Sequence, residues 1–469
     1  MNGRSRHGRF PAEFVWGVAT AAYQIEGAAA VDGRSPSIWD TFSRSGGVVE
    51  GHSGDVACDH YHRWREDLDL LQWLGVDAYR FSIAWPRVQP GGHGAAEPRG
   101  LAFYDRLVDG LLERGIQPWA SLYHWDLPQA LEEAGGWPQR DTAYRFAEYA
   151  AIVHDTLGDR VAGWITMNEP WCVSLLGYAA GVHAPGRQED AAAVRAVHHS
   201  LLAHGLAAEV LRARGAHGLG YAPNLYHVTA ASDDEADRDA ARRIDGLQNR
   251  LFLDPVLRGT YPADVVDDLA PVTDFSFVHD GDLALIGAPI DFLGVNYYSI
   301  YTVAAATGDP TRDATDPDAA RTGAHGAARS PWVGSRNVVF RSSGKPLTAM
   351  GWEVDADGLR QVLVRVADEY DAPPIYVTEN GAAYADVLHD GDVEDAERIA
   401  YVGGHLEACA AAIAEGVDLR GYFLWSLMDN FEWSWGYTRR FGIVHVDYET
   451  QERTPKASAR WYRELMAGD

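Results

Sequence analysis

Phe10–Phe42 reads FPAEFVWGVATAAYQIEGAAAVDGRSPSIWDTF, and the reading of the whole chain starts from it. Phe14–Ala19 is a short apolar run that reads as a buried strand. The residues after Trp16, GVATAAYQIEG, do not make the G-x-G-x-x-G of a dinucleotide phosphate loop. An oxidoreductase on a doubly wound sheet would need that loop after its first strand. Outward from Ala19, β-rich runs alternate with helical patterns nearly to the end. Strands are expected at Ala78–Ile83, Gln117–Leu122, Gly163–Met167, Gly218–Ala222, Phe292–Tyr298, Ile375–Thr378 and Gly421–Ser426. Amphipathic segments at Tyr61–Trp73, Phe103–Arg114, Thr142–Leu157, Val194–Arg214, Glu397–Glu415 and Lys456–Met466 separate them or close the chain. Eight strands with intervening helices is the count of a (β/α)8 TIM barrel, although the count alone also permits a doubly wound sheet.

At 469 residues the chain exceeds the common domain size of about 100 to 150, yet one α/β barrel can span about 200 to more than 400. No linker rich in Pro or Ser divides it, so residues 1–469 are expected to form a single catalytic domain with extended βα loops. The segment Ala304–Ser343, rich in Ala, Gly, Asp and Arg, reads as the least ordered part, an insertion between strand six and the helix after it. A formal charge of -27 argues against nucleic acid or an anionic membrane as partner, since both are bound through clustered Lys and Arg. Lys appears only at Lys345 and Lys456. Cys58, Cys172 and Cys409 are too few and scattered for a disulfide framework or a zinc cluster, and read as reduced, buried thiols. Arg4, Arg6 and Arg9 are followed by no apolar signal-peptide core, and no apolar stretch reaches about 18 residues. A cytoplasmic protein is expected, with monomer and homo-oligomer both open.

Two peptides carry the chemistry. Thr166–Pro170 (TMNEP) and Tyr376–Gly381 (YVTENG) each place a glutamate just past a strand-forming run. In a (β/α)8 barrel the strand ends face one pocket, so Glu169 and Glu379 would meet there despite their distance in sequence. Cleaving a glycosidic bond needs such a pair: one carboxyl donates a proton while the other attacks the anomeric carbon or activates water.

Around both peptides the chain resembles glycoside hydrolase family 1, the β-glucosidase family. The likeness rests on Phe10–Phe42, Tyr79–Arg87 (YRFSIAWPR), Tyr123–Pro128 (YHWDLP) and Leu424–Gly442 (LWSLMDNFEWSWGYTRRFG). It decides for the barrel, and it implies a retaining β-glucosidase with Glu169 as general acid/base and Glu379 as nucleophile. Arg80 is the cation expected beside Glu379, to lower its pKa, and Tyr298 is expected to donate to it. By the same resemblance Gln24, His124, Asn168 and Glu432 bind hydroxyls of the non-reducing sugar. Trp425 lies beneath its ring, Trp433 bonds near O3 and Trp125 supports His124. Trp352, in GWEVDADG, is the platform for the leaving group.

Members of the family acting on 6-phosphorylated sugars carry a small or neutral residue at the position of Glu432 and a phosphate-gripping Lys and Tyr beyond it. This chain has Glu432 followed by WSWGY, so unphosphorylated β-glucosides, with β-galactosides beside them, are the expected substrates. A non-catalytic sugar-binding relative would lose one glutamate, and this chain keeps both. A mainly transglycosylating enzyme stays open, because acceptor choice depends on the shape of the leaving-group site. No cofactor or metal is expected. His198, His199 and His204 share a helix without an HExxH or carboxylate partner pattern. His60 and His62 read as polar fillers of the barrel wall, and His183 as a loop residue at the pocket rim.

Overall fold

The computed structural model describes residues 9–306, 329–335 and 337–468. Eight parallel strands close into a barrel: β1 (Val15–Ala19), β2 (Ala78–Ser82), β3 (Gln117–Ser121), β4 (Gly163–Asn168), β5 (Leu219–Ala222), β6 (Phe292–Asn296), β7 (Ile375–Asn380) and β8 (Leu419–Trp425). Each pairs with its neighbours in sequence, and β8 closes on β1 from Val15↔Gly421 to Ala19↔Trp425. All eight expected strands are present, with ends shifted by one or two residues.

The strands are buried along almost their whole length, because helices cover them outside and side chains fill the interior. The lower interior is aromatic. The Trp119 ring lies 5.1 Å from Phe292, 4.9 Å from Tyr376 and 5.1 Å from Phe423. Glycine makes room for these rings: a Cβ on Gly163 would lie 2.5 Å from the Trp119 ring, and one on Gly220 would lie 2.3 Å from Phe292. A filled floor leaves only the C-terminal end of the barrel open to ligand.

The six expected helices are present, among them His60–Leu74, Arg140–Leu157 and Asp190–Ala213. A further helix, Ala356–Glu369, follows β6 and buries Leu359, Val362, Leu363 and Val366 at helical spacing. Its run of valines alternates like a strand, which hides the helical period in the sequence. Asp355 caps it by accepting from the Gly358 N–H at 3.4 Å.

Only the two ends of the segment Ala304–Ser343 are described, and these are ordered. Residues 307–328 and Arg336 lie outside the described residues, as do Arg4 and Arg6. The described ends of the segment pair antiparallel, Ile300–Ala305 against Val338–Arg341, in a three-stranded sheet completed by His227–Ala230. Trp332, only 3% exposed, anchors this sheet against Trp171, Tyr301 and Phe340. Burial of an aromatic of this size outweighs a weak local strand signal. Among the described residues no helix is long and apolar enough to cross a membrane.

Candidate active site

The pairing ladder breaks where the two glutamates stand. Register shifts fall between Ile165 and Asn168 in β4, and between Val377 and Glu379 in β7. Such irregularities re-aim a side chain at a strand end. Glu169 takes a left-handed backbone, φ 45°, with its N–H donating to Ala222 O at 2.8 Å. That conformation is strained for a residue with a Cβ, so the surrounding contacts hold it there. The carbonyl of Glu379 is tied down by the Tyr297 N–H at 2.9 Å.

The side chains then form one buried network. Arg80 donates to Glu379 Oε1 at 2.6 Å, to Asn168 Oδ1 at 2.6 Å and to Ser121 Oγ at 3.2 Å. Tyr298 Oη donates to the other oxygen of Glu379 at 2.7 Å. Asn296 Nδ2 donates to Glu169 Oε1 at 2.8 Å and to Asn168 Oδ1 at 3.0 Å, and its own carbonyl accepts from Thr378 Oγ1 at 2.7 Å. Cys172 Sγ donates to Glu169 Oε2 at 3.2 Å.

The two carboxyls are thus unequal. Glu379 receives a guanidinium and a phenol, whereas Glu169 receives a neutral amide and a thiol. Burial, with the Glu379 charge adding to it, pushes Glu169 up to about 8. Burial, the larger effect, raises Glu379 above the ordinary carboxylate value; Arg80 acts to lower it, as expected, and Tyr298 with it, but together they only hold that rise back. Desolvating a carboxylate completely costs more than one cation and one phenol return. The surroundings of Glu379 thus favour its charged form, and those of Glu169 favour its proton.

Both carboxyls open on one cavity, whose lining also includes His124, Trp125, Tyr298, Trp352, Trp425, Glu432 and Trp433. Arg80, Asn168 and Gln24 are not part of that lining and stand directly behind it. Gln24 Nε2 donates to Asn430 Oδ1, to Phe431 O and to Glu432 Oε2 at 3.3 Å, which leaves its buried Oε1 without a partner. Burial and the Arg80 charge hold His124 well below the usual imidazole value. Its neutral ring accepts from Asn168 Nδ2 through Nε2 at 3.1 Å, so its proton sits on Nδ1, which has no partner. Trp125 does more than back His124: it lines the cavity itself, and its Nε1 donates to Asn168 O at 3.1 Å. Trp425 stacks on His124 with centroids 5.6 Å apart, and the half-buried Trp352 packs 5.5 Å from Tyr298. Burial, then Glu379 and Glu169, push Glu432 up to about 8, against the Gln24 hydrogen bond and the Arg439 charge.

The model of the Glycosyl hydrolase family 1 matches residues 6–469. The chain belongs to this family. Family 1 enzymes are retaining O-glycosyl hydrolases, and similar proteins agree along the whole length. A bifunctional β-D-glucosidase/β-D-fucosidase of Bifidobacterium breve is 49% identical over 98% of both chains. A thermostable β-glucosidase of Thermobispora bispora is 50% identical over 97% of this chain and 90% of its own. The crystal structure of a psychrophilic β-glucosidase from Micrococcus antarcticus superposes with a TM-score of 0.92 at 52% identity, covering 100% of this chain and 99% of that one.

Two residues that contact Glu169 are absent from the sequence reading. Asn296 precedes the Tyr297-Tyr298 pair and was legible only as the end of a strand. In the sequence Cys172 reads only as one of three buried thiols. The histidines on Asp190–Ala213 diverge: His198 meets Asp282 at 2.9 Å, His199 meets Trp137 O at 3.1 Å and His204 meets Thr166 at 2.6 Å. His60 pairs with Asp67 at 2.7 Å, His62 is largely exposed beside Asp59, and His183 lines the cavity.

Just past the second glutamate, a Cβ on Gly381 would lie 1.6 Å from the carbonyl oxygen of Trp425, a backbone atom that cannot swing aside. Gly381→Ala is expected to push β7 off β8, lowering stability by about 2 kcal/mol, as overpacking does. Its kcat should fall more than its KM rises. Thermal unfolding and initial rates check this, and a variant with unchanged Tm and kcat contradicts it.

Proposed function

We propose that this retaining β-glucosidase works by double displacement, with Glu379 as nucleophile and Glu169 as general acid/base. The observation that carries the assignment is the unequal surroundings of the two carboxyls. Glu379, ionised beside Arg80 and Tyr298, attacks the anomeric carbon while Glu169 gives its proton to the departing oxygen. The ester formed at Glu379 removes the charge that helps hold the proton on Glu169. Glu169 then ionises more readily and takes a proton from the water that opens the ester.

The unpartnered atoms describe the sugar that fits. Gln24 Oε1 offers an acceptor and His124 Nδ1 a donor, both buried, and Glu432 can accept from or donate to neighbouring hydroxyls. Trp425 supplies an apolar face for the ring C–H groups, and Trp433 lies beside it as a further donor. Trp352 stands at the half-exposed side, where a leaving group would stack. A terminal β-D-glucosyl unit of a cello-oligosaccharide or of an aryl or alkyl glucoside satisfies these groups. The Bifidobacterium relative is named for fucosides as well as glucosides, which supports tolerance at O4 and O6.

Initial rates on 4-nitrophenyl β-D-glucoside, β-D-galactoside and β-D-glucoside 6-phosphate test the specificity. The first two are expected to be cleaved and the third to be much slower, because a phosphate would enter a pocket already holding Glu432, Glu379 and Glu169. Faster hydrolysis of the 6-phosphate than of its parent overturns this part of the proposal.

A further inference from the structure

Cys172 stands three residues after Glu169, across the single turn made by Pro170 and Trp171, where the chain enters the π-helix Cys172–Ala180. An i, i+3 spacing on a helical turn places two side chains on one face, and π-turns recur at functional sites. Here the geometry brings Cys172 Sγ to 3.2 Å from Glu169 Oε2, while Asn224 Nδ2 approaches the same sulfur at 3.7 Å. The other oxygen of Glu169 is taken by Asn296 at 2.8 Å. Cys172 and Asn224 both line the cavity, and the Asn224 backbone is held by Gln248 Nε2 at 2.9 Å.

We infer that Cys172 is a positioning residue for the reaction: its S–H hydrogen-bonds Glu169 Oε2 whenever that carboxyl is ionised, and so fixes Oε2 as the oxygen that gives and receives the catalytic proton. The inference rests on Glu169 being the acid/base. Asn296 Nδ2 is a donor only, so it needs Oε1 as a bare acceptor and leaves Oε2 to carry the proton. When that proton has gone to the leaving oxygen, Oε2 is left charged in a buried site, and the thiol hydrogen is the donor within reach. The thiol keeps its own hydrogen throughout, and the proton later recovered from water returns to Oε2. Asn224, donating to the sulfur, orients the S–H toward Glu169 by occupying a sulfur lone pair. A thiol suits the task because it is a weak donor, able to favour the ionised carboxyl without preventing its reprotonation. The other charged or titratable groups acting on Glu169 are Glu379, Glu432, Arg80 and Tyr298. None of these is altered by changing Cys172.

The test is the alkaline limb of the kcat/KM profile on cellobiose, whose leaving group needs protonation, measured for wild type, Cys172→Ala, Cys172→Ser and Glu169→Gln. With the thiol gone, the limb of Cys172→Ala is expected to move up by about half a pH unit and kcat/KM below it to fall by about threefold, as loss of one weak donor to a carboxylate requires. Cys172→Ser, keeping a donor of similar size, should return the limb to the wild-type position or below it. On 2,4-dinitrophenyl β-D-glucoside, whose leaving group needs no proton, kcat/KM of wild type and of the two Cys172 variants should agree within about twofold. A limb in Cys172→Ala identical to wild type, in an enzyme whose limb disappears in Glu169→Gln, overturns the role of Cys172 and leaves Glu169 in place. A limb that persists in Glu169→Gln overturns the acid/base assignment, and this inference with it.

Discussion

Glu379→Gly is expected to lower kcat on 4-nitrophenyl β-D-glucoside by about 10⁵-fold, the order seen when a covalent enzyme loses its nucleophile. The site leaves no substitute. Arg80 and Tyr298 both point donors at the vacated position, and neither can attack carbon. The substitution also strands the Arg80 charge in a fully buried place, so Tm should fall as well. Lost activity alone therefore proves little, and the identity of a rescue product decides. A small anion such as azide can enter the space beside Arg80 and attack the anomeric carbon from the face that Glu379 used. Glu169 still protonates the leaving oxygen, so turnover with azide should yield the α-glucosyl azide. An α product places the nucleophile at Glu379. A β product, or activity within about 100-fold of wild type without azide, contradicts the assignment.

The eight strands and the two glutamates were legible in the sequence because each depends on short stretches, while the choice of a barrel over a doubly wound sheet came from the family resemblance. A buried parallel strand is a nearly continuous apolar run, and β1 and β6 show it within five residues. What was illegible depends on closure. Asn296 shares its amide between Asn168 and Glu169, and no residue near it in sequence announces that. The role of Arg80 was half legible: its partner could be named, but the sign of the Glu379 shift could not. Burial is a property of the closed barrel, and here it outweighs a salt bridge. Gln24 teaches the same point. Its amide nitrogen is committed to residues Asn430–Glu432, which leaves its oxygen as the unpartnered atom. Ala356–Glu369 failed for the opposite reason, since its valines advertise a strand and only packing on the barrel reveals the helical face.

Glu169→Ala should separate substrates by their leaving groups. For cellobiose or an alkyl glucoside the departing oxygen is a strong base, and without a proton donor kcat/KM is expected to drop by about 10³- to 10⁴-fold. For 2,4-dinitrophenyl β-D-glucoside the leaving phenolate is already stable, so kcat/KM should stay within about tenfold of wild type. The ester at Glu379 would then accumulate, because no base remains to activate water. Azide needs no base, so it should accelerate turnover and give the β-glucosyl azide, the opposite anomer from that of Glu379→Gly. The pH profile supplies an independent sign. A carboxyl pushed up to about 8 keeps its proton below that pH and loses it above, so wild-type kcat/KM on cellobiose should fall on the alkaline side of about 8. Glu379, whose carboxyl must be ionised to attack, sets the acid side, displaced upward from the ordinary value by burial. In Glu169→Ala the alkaline limb should vanish. Below about 8 Glu169 carries its proton and no charge, so its loss removes no repulsion from Glu379, and the acid limb, set by the burial of Glu379, should stay in place. An alkaline limb that vanishes while the acid limb keeps its place assigns the two limbs to two different carboxyls, the proton donor to Glu169 and the nucleophile to Glu379.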